Sequence, residues 1–303
     1  MNLKNKLSEQ RVNMIEETLD KALKQKRLSS LDYERLLTIT DETQIERLLS
    51  IARKIRDENS KKVLLTPTLS LKNRKNDSLI KDIKLIEELN IPRVNFFRQY
   101  NSDEDVINAC KTVKQNSNLK TIVSITGEFL FDSIEELSKI GVDTICCNLS
   151  TVNNEVFKNT AKTDDTLTQR IKLCQNISKN GIGLSSGIVL GIGEDIPDRL
   201  KHLRFLSNYS TLEEIPIISY NTYPFFPTKK EDVYPLKEHL KLIAVTRIMY
   251  PKMIITIPTP IFKPKCYEAF LNAGADSITT DNILKYEQFL EIIKIIRDCG
   301  LNI

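Results

Sequence analysis

The chain has 303 residues, 41% of them hydrophobic and 28% charged, the balance of an ordinary folded protein large enough for one barrel or two smaller domains. Forty-four basic residues against 40 acidic ones leave a formal charge of +4, too small and too scattered for a nucleic-acid surface. No apolar run approaches the length that spans a bilayer, and the polar start of the chain lacks the apolar heart of a secretion signal, so a cytoplasmic location with no membrane partner is expected.

Residues 3–27 and 31–58 carry helical periodicity, the second with a break near Asp41 and Thr43. Beyond Asn59 and Ser60 short apolar strands alternate with helices. Strands are expected over 63–66, 93–97, 121–125, 144–147, 183–190, 217–220, 253–257 and 277–280. The intervening helices are expected over 78–89, 103–116, 133–139, 166–179, 196–206, 237–249, 265–273 and 285–299, several of them stopped by a glycine such as Gly141, Gly181 or Gly274. Eight such alternations predict an α/β fold of the (β/α)8 TIM type. The expected division is an N-terminal helical extension over 1–58 and the barrel over 59–303, with no Pro/Gly/Ser linker between them.

Ligands of such a barrel bind at the carboxyl ends of its strands. The run Gly187–Glu194 reads as a buried strand, a tight turn and a helix start, and Gly191 and Gly193 would let backbone lie against a flat ligand. Thr66, Asn95, Arg98 and Thr126 fall at the ends of the first three strands, and Ser185, Asn221, Thr256 and Asp281 at those of later ones. These are the expected lining of a pocket for a small polar molecule, with Glu128 and Asp281 available as acid or base. Lys72, Arg74, Lys75 and Arg98 add positive charge on the same side. No Ser/His/Asp set, paired-carboxylate site or metal-ligand cluster is discernible, which argues against a hydrolase.

The six cysteines, Cys110, Cys146, Cys147, Cys174, Cys266 and Cys299, form no Cys-x-x-Cys pair and read as reduced thiols. Cys146 and Cys147 are neighbours on one strand, so only one of them can face the barrel interior, and core packing is the expected role. His202 and His239 lie in charged helical stretches and read as surface residues.

Five stretches together resemble the radical S-adenosylmethionine (SAM) enzymes, in the branch of biotin synthase, methylornithine synthase and the related hydrogenase maturase. They are Cys147–Thr151, Thr166–Arg170, Gly181–Glu194, Ala244–Pro251 and Asn272–Ile278, and the resemblance spans about residues 30–300. It implies SAM as cofactor, with Asn148 and Ser150 near the ribose and Arg170 paired with the SAM carboxylate. It also implies the backbone of Gly187, Val189, Gly191 and Glu194 against the adenine, Val189 replacing the family's isoleucine. Ser150 stands where the family has an acid. The family's Cys-x-x-x-Cys-x-x-Cys loop, which follows the first strand and holds a 4Fe–4S cluster, has no counterpart: residues 66–77 contain no cysteine, and the first in the chain is Cys110. The turn that should bind the SAM amine after the second strand reads Asn95 to Tyr100, without the family's Gly-Gly-Glu pattern. Ser185 replaces an auxiliary-cluster cysteine of biotin synthase.

The expectation is a barrel without a 4Fe–4S cluster and without radical catalysis. It would be a non-catalytic or accessory protein in cofactor or amino-acid-derivative biosynthesis, with a pocket for SAM or a small metabolite and an active radical SAM relative or another protein as partner. The loop Tyr223–Pro227 is the candidate partner contact, or else a cover over the barrel mouth. An enzyme of non-radical chemistry on SAM or a small anionic metabolite, and an assembly scaffold without small ligand, are the alternatives.

Overall fold

The structure, a computed structural model, describes residues 3–71, 76–97, 102–160, 165–220, 235–259, 264–280 and 286–303. Three helices lead the chain: α1 (Leu3–Leu23), α2 (Ser30–Leu37) and α3 (Glu42–Asn59). Ser29 starts α2 with a reciprocal box in which its hydroxyl accepts from the Asp32 amide and the Asp32 carboxylate accepts from the Ser29 amide. Asp41 caps α3 through the Gln44 amide. The expected break at Asp41 is thus a separate helix start, and residues 38–41 join the two pieces.

Nine strands follow among the described residues: β1 (Leu64–Leu69), β2 (Arg93–Phe97), β3 (Lys120–Ser124), β4 (Thr144–Cys146), β5 (Gly183–Ser185), β6 (Ile188–Leu190), β7 (Leu212–Ser219), β8 (Ile254–Thr259) and β9 (Ser277–Thr280). Between them run α4 (Asn76–Glu88), α5 (Asp103–Asn116), α6 (Phe131–Ile140), α7 (Asn154–Thr160), α8 (Leu167–Lys179), α9 (Ile196–Leu206), α10 (Leu236–Met249), α11 (Pro264–Asn272) and α12 (Tyr286–Asp298). All the pairings are parallel, in the order β5-β4-β3-β2-β1-β9-β8-β7-β6, and a further β5–β7 pairing closes the ring. β5 and β6 are two halves of one barrel stave interrupted at Ser186 and Gly187. The fold is therefore a closed, eight-stave (β/α)8 barrel.

Three details depart from the sequence expectations. The stave expected over 217–220 begins five residues earlier, at Leu212, and carries a bulge: Leu184 pairs with Leu212 but Ser185 with Glu214, leaving Glu213 extra. Two adjacent glutamates and Pro216 hide its strand character. The stave expected over 183–190 is split, and α7 is an additional helix between β4 and α8.

One buried apolar cluster runs from Ile15, Leu19 and Leu36 of the leading helices through the barrel wall to Ile296 and Leu301. The leading helices are tied to α10, where the Lys241 ammonium donates to the carbonyls of Leu37 (2.9 Å) and Ile39 (3.0 Å), capping the end of α2 from outside. Arg56 of α3 donates to the carbonyls of Leu271 and Ala275 in the same way. Among the described residues no helix is long and apolar enough to cross a membrane.

Candidate functional site

Side chains of residues in register on adjacent parallel strands point to the same face of the sheet. Pairings of Thr68 with Asn95, Ser124 with Cys146, Cys146 with Ser185, Ser185 with Glu214 and Thr256 with Ser277 therefore place these residues on one face. That face is the barrel interior, because the intervening residues Leu65, Val94, Phe96, Val123, Ile145, Leu184, Ile215 and Ile255 belong to the core shared with the helices. Thr66, Asn95, Ser185 and Thr256, expected as pocket lining, all lie on the inner face and are all buried.

At the ends of the first three staves the inner residues bond one another. The Asn95 amide donates to the Thr68 hydroxyl (3.0 Å), and the Ser124 hydroxyl donates to the Asn95 carbonyl oxygen (3.0 Å). Cys146 faces inward beside Ser185 and Ser124 and is partly exposed; burial pushes its thiol up to about 12, a nearby Glu214 charge adds to this, and the two hydroxyls oppose it. Cys147 points the other way and is fully buried, its thiol held well above the ordinary range by contact with the Cys174 thiol and by burial. Lower in the barrel Arg93 reaches across to Glu214 at 2.7 Å, and the Thr256 hydroxyl donates to the other carboxylate oxygen. Sequence reading missed this pair, although a charge at an inward position of an otherwise apolar strand is its signal at both Arg93 and Glu214.

The glycine-rich stave meets the end of β4 in a second cluster. The Asn148 side-chain oxygen accepts from the Gly187 amide (2.9 Å), while Ser150, at φ 65°, exchanges backbone bonds with the same stave: its amide donates to Gly187 and its carbonyl accepts from Val189. Gly187 has a packing reason of its own, since a Cβ there would lie 1.9 Å from the Pro216 carbonyl oxygen. Val189 is buried outside the main core cluster. Gly191 (φ 83°) and Gly193 (φ 101°) form the turn, and the buried Glu194 carboxylate organises it. Glu194 accepts from the amides of Gly191 and Ile192 and from Arg199 at 2.7 Å.

Arg170 is brought to this cluster by α8. Its Nε donates to Asp165 (2.7 Å) and one terminal nitrogen to the Asn148 carbonyl (2.5 Å), with the Ser150 hydroxyl 3.4 Å away, and its guanidinium lies over the Phe157 ring at 5.1 Å. Asn148, Ser150, Arg170, Gly187 and Val189 thus form one contiguous patch. Thr126 lies half-buried just beyond β3. Arg98, Asn221, Asp281, the cations of 72–75 and the loop Tyr223–Pro227 lie outside the described residues.

Both histidines correct the sequence expectation of surface residues. His202 is fully buried, with neither ring nitrogen hydrogen-bonded, and burial lowers its pKa to about 3. His239 is buried between the Ser219 hydroxyl (2.7 Å) and the Ile217 carbonyl (3.1 Å), its pKa lowered by burial to about 4. A helix carries charged residues beside its buried stripe, and the local sequence does not say on which side a histidine falls.

The family model of the radical SAM superfamily matches residues 40–206. An uncharacterized protein of Methanocaldococcus jannaschii is 33% identical over 295 residues, covering 84% of this chain and 78% of that one. The biotin synthase of Lawsonia intracellularis is 31% identical over 189 residues, covering 60% of this chain but only 58% of its own length. The crystal structure of methylornithine synthase has the same fold, with a TM-score of 0.79 over 94% of this chain and 96% of that one, at 18% identity. By the family match and the M. jannaschii relative, this chain belongs to the radical SAM superfamily.

Proposed function

We propose that this protein is a superfamily member that has given up the iron–sulfur cluster and acts, without radical catalysis, as an accessory protein binding SAM or a small metabolite at the barrel mouth. The observation that carries this reading is the Thr68–Asn95–Ser124 network at the ends of β1, β2 and β3. An iron–sulfur cluster of the family's kind needs three thiolates at the first strand end. The side chains at this end are hydroxyls and an amide already bonded to one another, and residues 1–109 contain no cysteine at all. Cys146 is a single inward thiol whose raised pKa disfavours the thiolate that iron requires. This donor set does not fit the cluster.

The SAM half of the site fits better. Asn148, Ser150, Arg170 and Val189 lie together at the carboxyl end of the barrel, and among the described residues the bonds of Arg170 to Asp165 and Asn148 use its Nε and one terminal nitrogen, the other being available to meet a carboxylate. Gly187 and Glu194 support the reading indirectly, because their contacts hold the stave and its turn in place. The relatives' names, biotin synthase and methylornithine synthase, support cofactor or amino-acid-derivative biosynthesis as the setting, and the cytoplasm is the compartment proposed for it. Calorimetric titration of the purified full-length chain with SAM tests the pocket. A saturable heat at about one SAM per chain is expected; no binding up to millimolar SAM would remove SAM from the account and leave the metabolite.

A further inference from the structure

Beyond the carboxyl ends of β2 and β3 the chain turns into α5 and α6, and the first turns of these helices flank a surface groove of about 640 Å³. Ile107 and Leu130 supply apolar lining, and Asp103, Glu104, Glu128 and Glu136 supply carboxylates. The cation described in the lining, Lys111, is paired with Glu136 at 2.7 Å. Asp103 accepts from the Leu130 amide (3.1 Å), which ties the two helix starts together. Glu104 on α5 and the acids Asp132 and Glu135 on α6 have no basic partner among the described residues. In a chain whose formal charge is +4, this is a concentrated acidic rim. Helix-end stabilisation does not account for all of it, since Glu128 precedes α6 and Glu135 and Glu136 lie beyond its first turn.

Leu130 and Phe131 stand at the edge of the groove, 63% and 44% exposed. Among the described residues Leu130 is the most exposed large apolar side chain, and these two are the only such pair consecutive in the chain. A single exposed apolar residue is ordinary, but Leu130 also occupies the N-cap of α6, where it makes no side-chain cap hydrogen bond. Leucine is among the poorest N-caps, so neither capping nor burial explains it there. The same loop reaches the candidate SAM patch: the Gly127 amide donates to Asp165 (3.3 Å), which holds Arg170 (2.7 Å), and the Gly127 carbonyl accepts from Gln169.

We infer that the groove between α5 and α6 is a docking surface for a partner protein, which lays a basic amphipathic helix across Leu130 and Phe131 with its lysines or arginines against the acidic rim. It rests on the accessory reading above, and it names the chemistry of the partner that reading calls for. An apolar floor within a charged rim is the usual form of a groove that receives an amphipathic helix. The negative rim opposes anionic lipid and nucleic acid, which leaves a cationic protein segment as the complementary occupant.

Fluorescence anisotropy of the full-length chain with a labelled synthetic helical peptide of lysine and leucine tests the surface, and a glutamate/leucine peptide of the same spacing is its charge-reversed control. Saturable binding of the Lys/Leu peptide alone is expected. Its affinity should fall at least about ten-fold in a Leu130→Ser/Phe131→Ser variant, and comparably when salt is raised from about 0.05 M to about 0.5 M. Glu104→Gln with Glu135→Gln should weaken binding about three-fold and flatten the salt dependence. Equivalent changes on α12, Leu290→Ser with Glu291→Gln, should leave it unchanged. Leu130→Ser alone should raise the melting temperature while lowering affinity, because serine caps a helix where leucine does not. A lower melting temperature would assign Leu130 to the fold and overturn the inference. So would no binding of the Lys/Leu peptide, equal binding of the Glu/Leu peptide, or an equal loss in the α12 variant. Light scattering should show a monomer; a dimer that Leu130→Ser/Phe131→Ser dissociates would make a second copy the occupant and overturn the partner. SAM titration separates this inference from the pocket: the Leu130→Ser/Phe131→Ser variant should bind SAM as the parent does, and loss of SAM binding there would mean that these side chains serve the site instead.

Discussion

Arg170 shows how a residue carried over from a family acquires a second duty once its neighbours are known. From the family resemblance it is the expected partner of the SAM carboxylate. In the structure its Nε holds Asp165, whose side chain is 3% exposed, and its terminal nitrogen holds the end of β4 through the Asn148 carbonyl. Arg170→Ala should therefore cost about 2 kcal/mol in urea denaturation, because it takes the guanidinium from a buried carboxylate and the anchor from the Asn148 carbonyl, while the Gly127 amide still donates to Asp165. Undiminished stability would mean that the guanidinium is held for a ligand alone. The two buried histidines set a pH dependence. Their folded pKa values, about 3 for His202 and about 4 for His239, lie below the unfolded value of 6.5. The unfolded chain therefore binds protons first as pH falls. Stability is complete above pH 6.5 and is lost as pH drops toward 4 and then 3, by roughly 2 kcal/mol per histidine at pH 5. A His202→Leu variant should lose less stability between pH 7 and pH 5 than the parent, measured by denaturation at the two values; an identical loss would assign the dependence elsewhere.

At the scale of elements, β2, β9, α5 and α9 were legible in the sequence to the residue, because each pairs an apolar period with a clear cap or turn. α5 begins with the reciprocal Ser102–Asp105 box and α9 with the Asp195–Asp198 box, with Pro197 in its first turn. The first half of β7 was not legible, since its inward glutamate and its bulge break the alternation that marks a strand. Nor was the role of Lys241, which shares α10 with apolar neighbours and looks like any helix lysine until α2 is brought beside it. Lys241→Met keeps the stem and removes the cap. It should speed hydrogen exchange across 30–39 while leaving the barrel strands protected, and unchanged exchange there would show that apolar packing alone holds α2.

At the scale of the whole molecule, the barrel was legible because eight apolar runs alternate with eight helical periods, and ring closure follows from that count. The ancestry was legible because five separate stretches occur in family order. The interior was not. Which strand residues face the lumen depends on register between staves far apart in sequence, and Arg93 and Glu214 meet across 121 residues. The candidate site follows the same division: the Asn148, Ser150 and Arg170 patch could be named from sequence, whereas its bonding and the Arg93–Glu214 pair lower in the barrel required the fold. The most direct test of the central claim is iron and acid-labile sulfide per chain after anaerobic reconstitution with iron and sulfide and removal of the excess. The account predicts well below one iron per chain and no iron–sulfur absorbance. About four irons and four sulfides per chain, with the spectrum of a 4Fe–4S cluster, would contradict it.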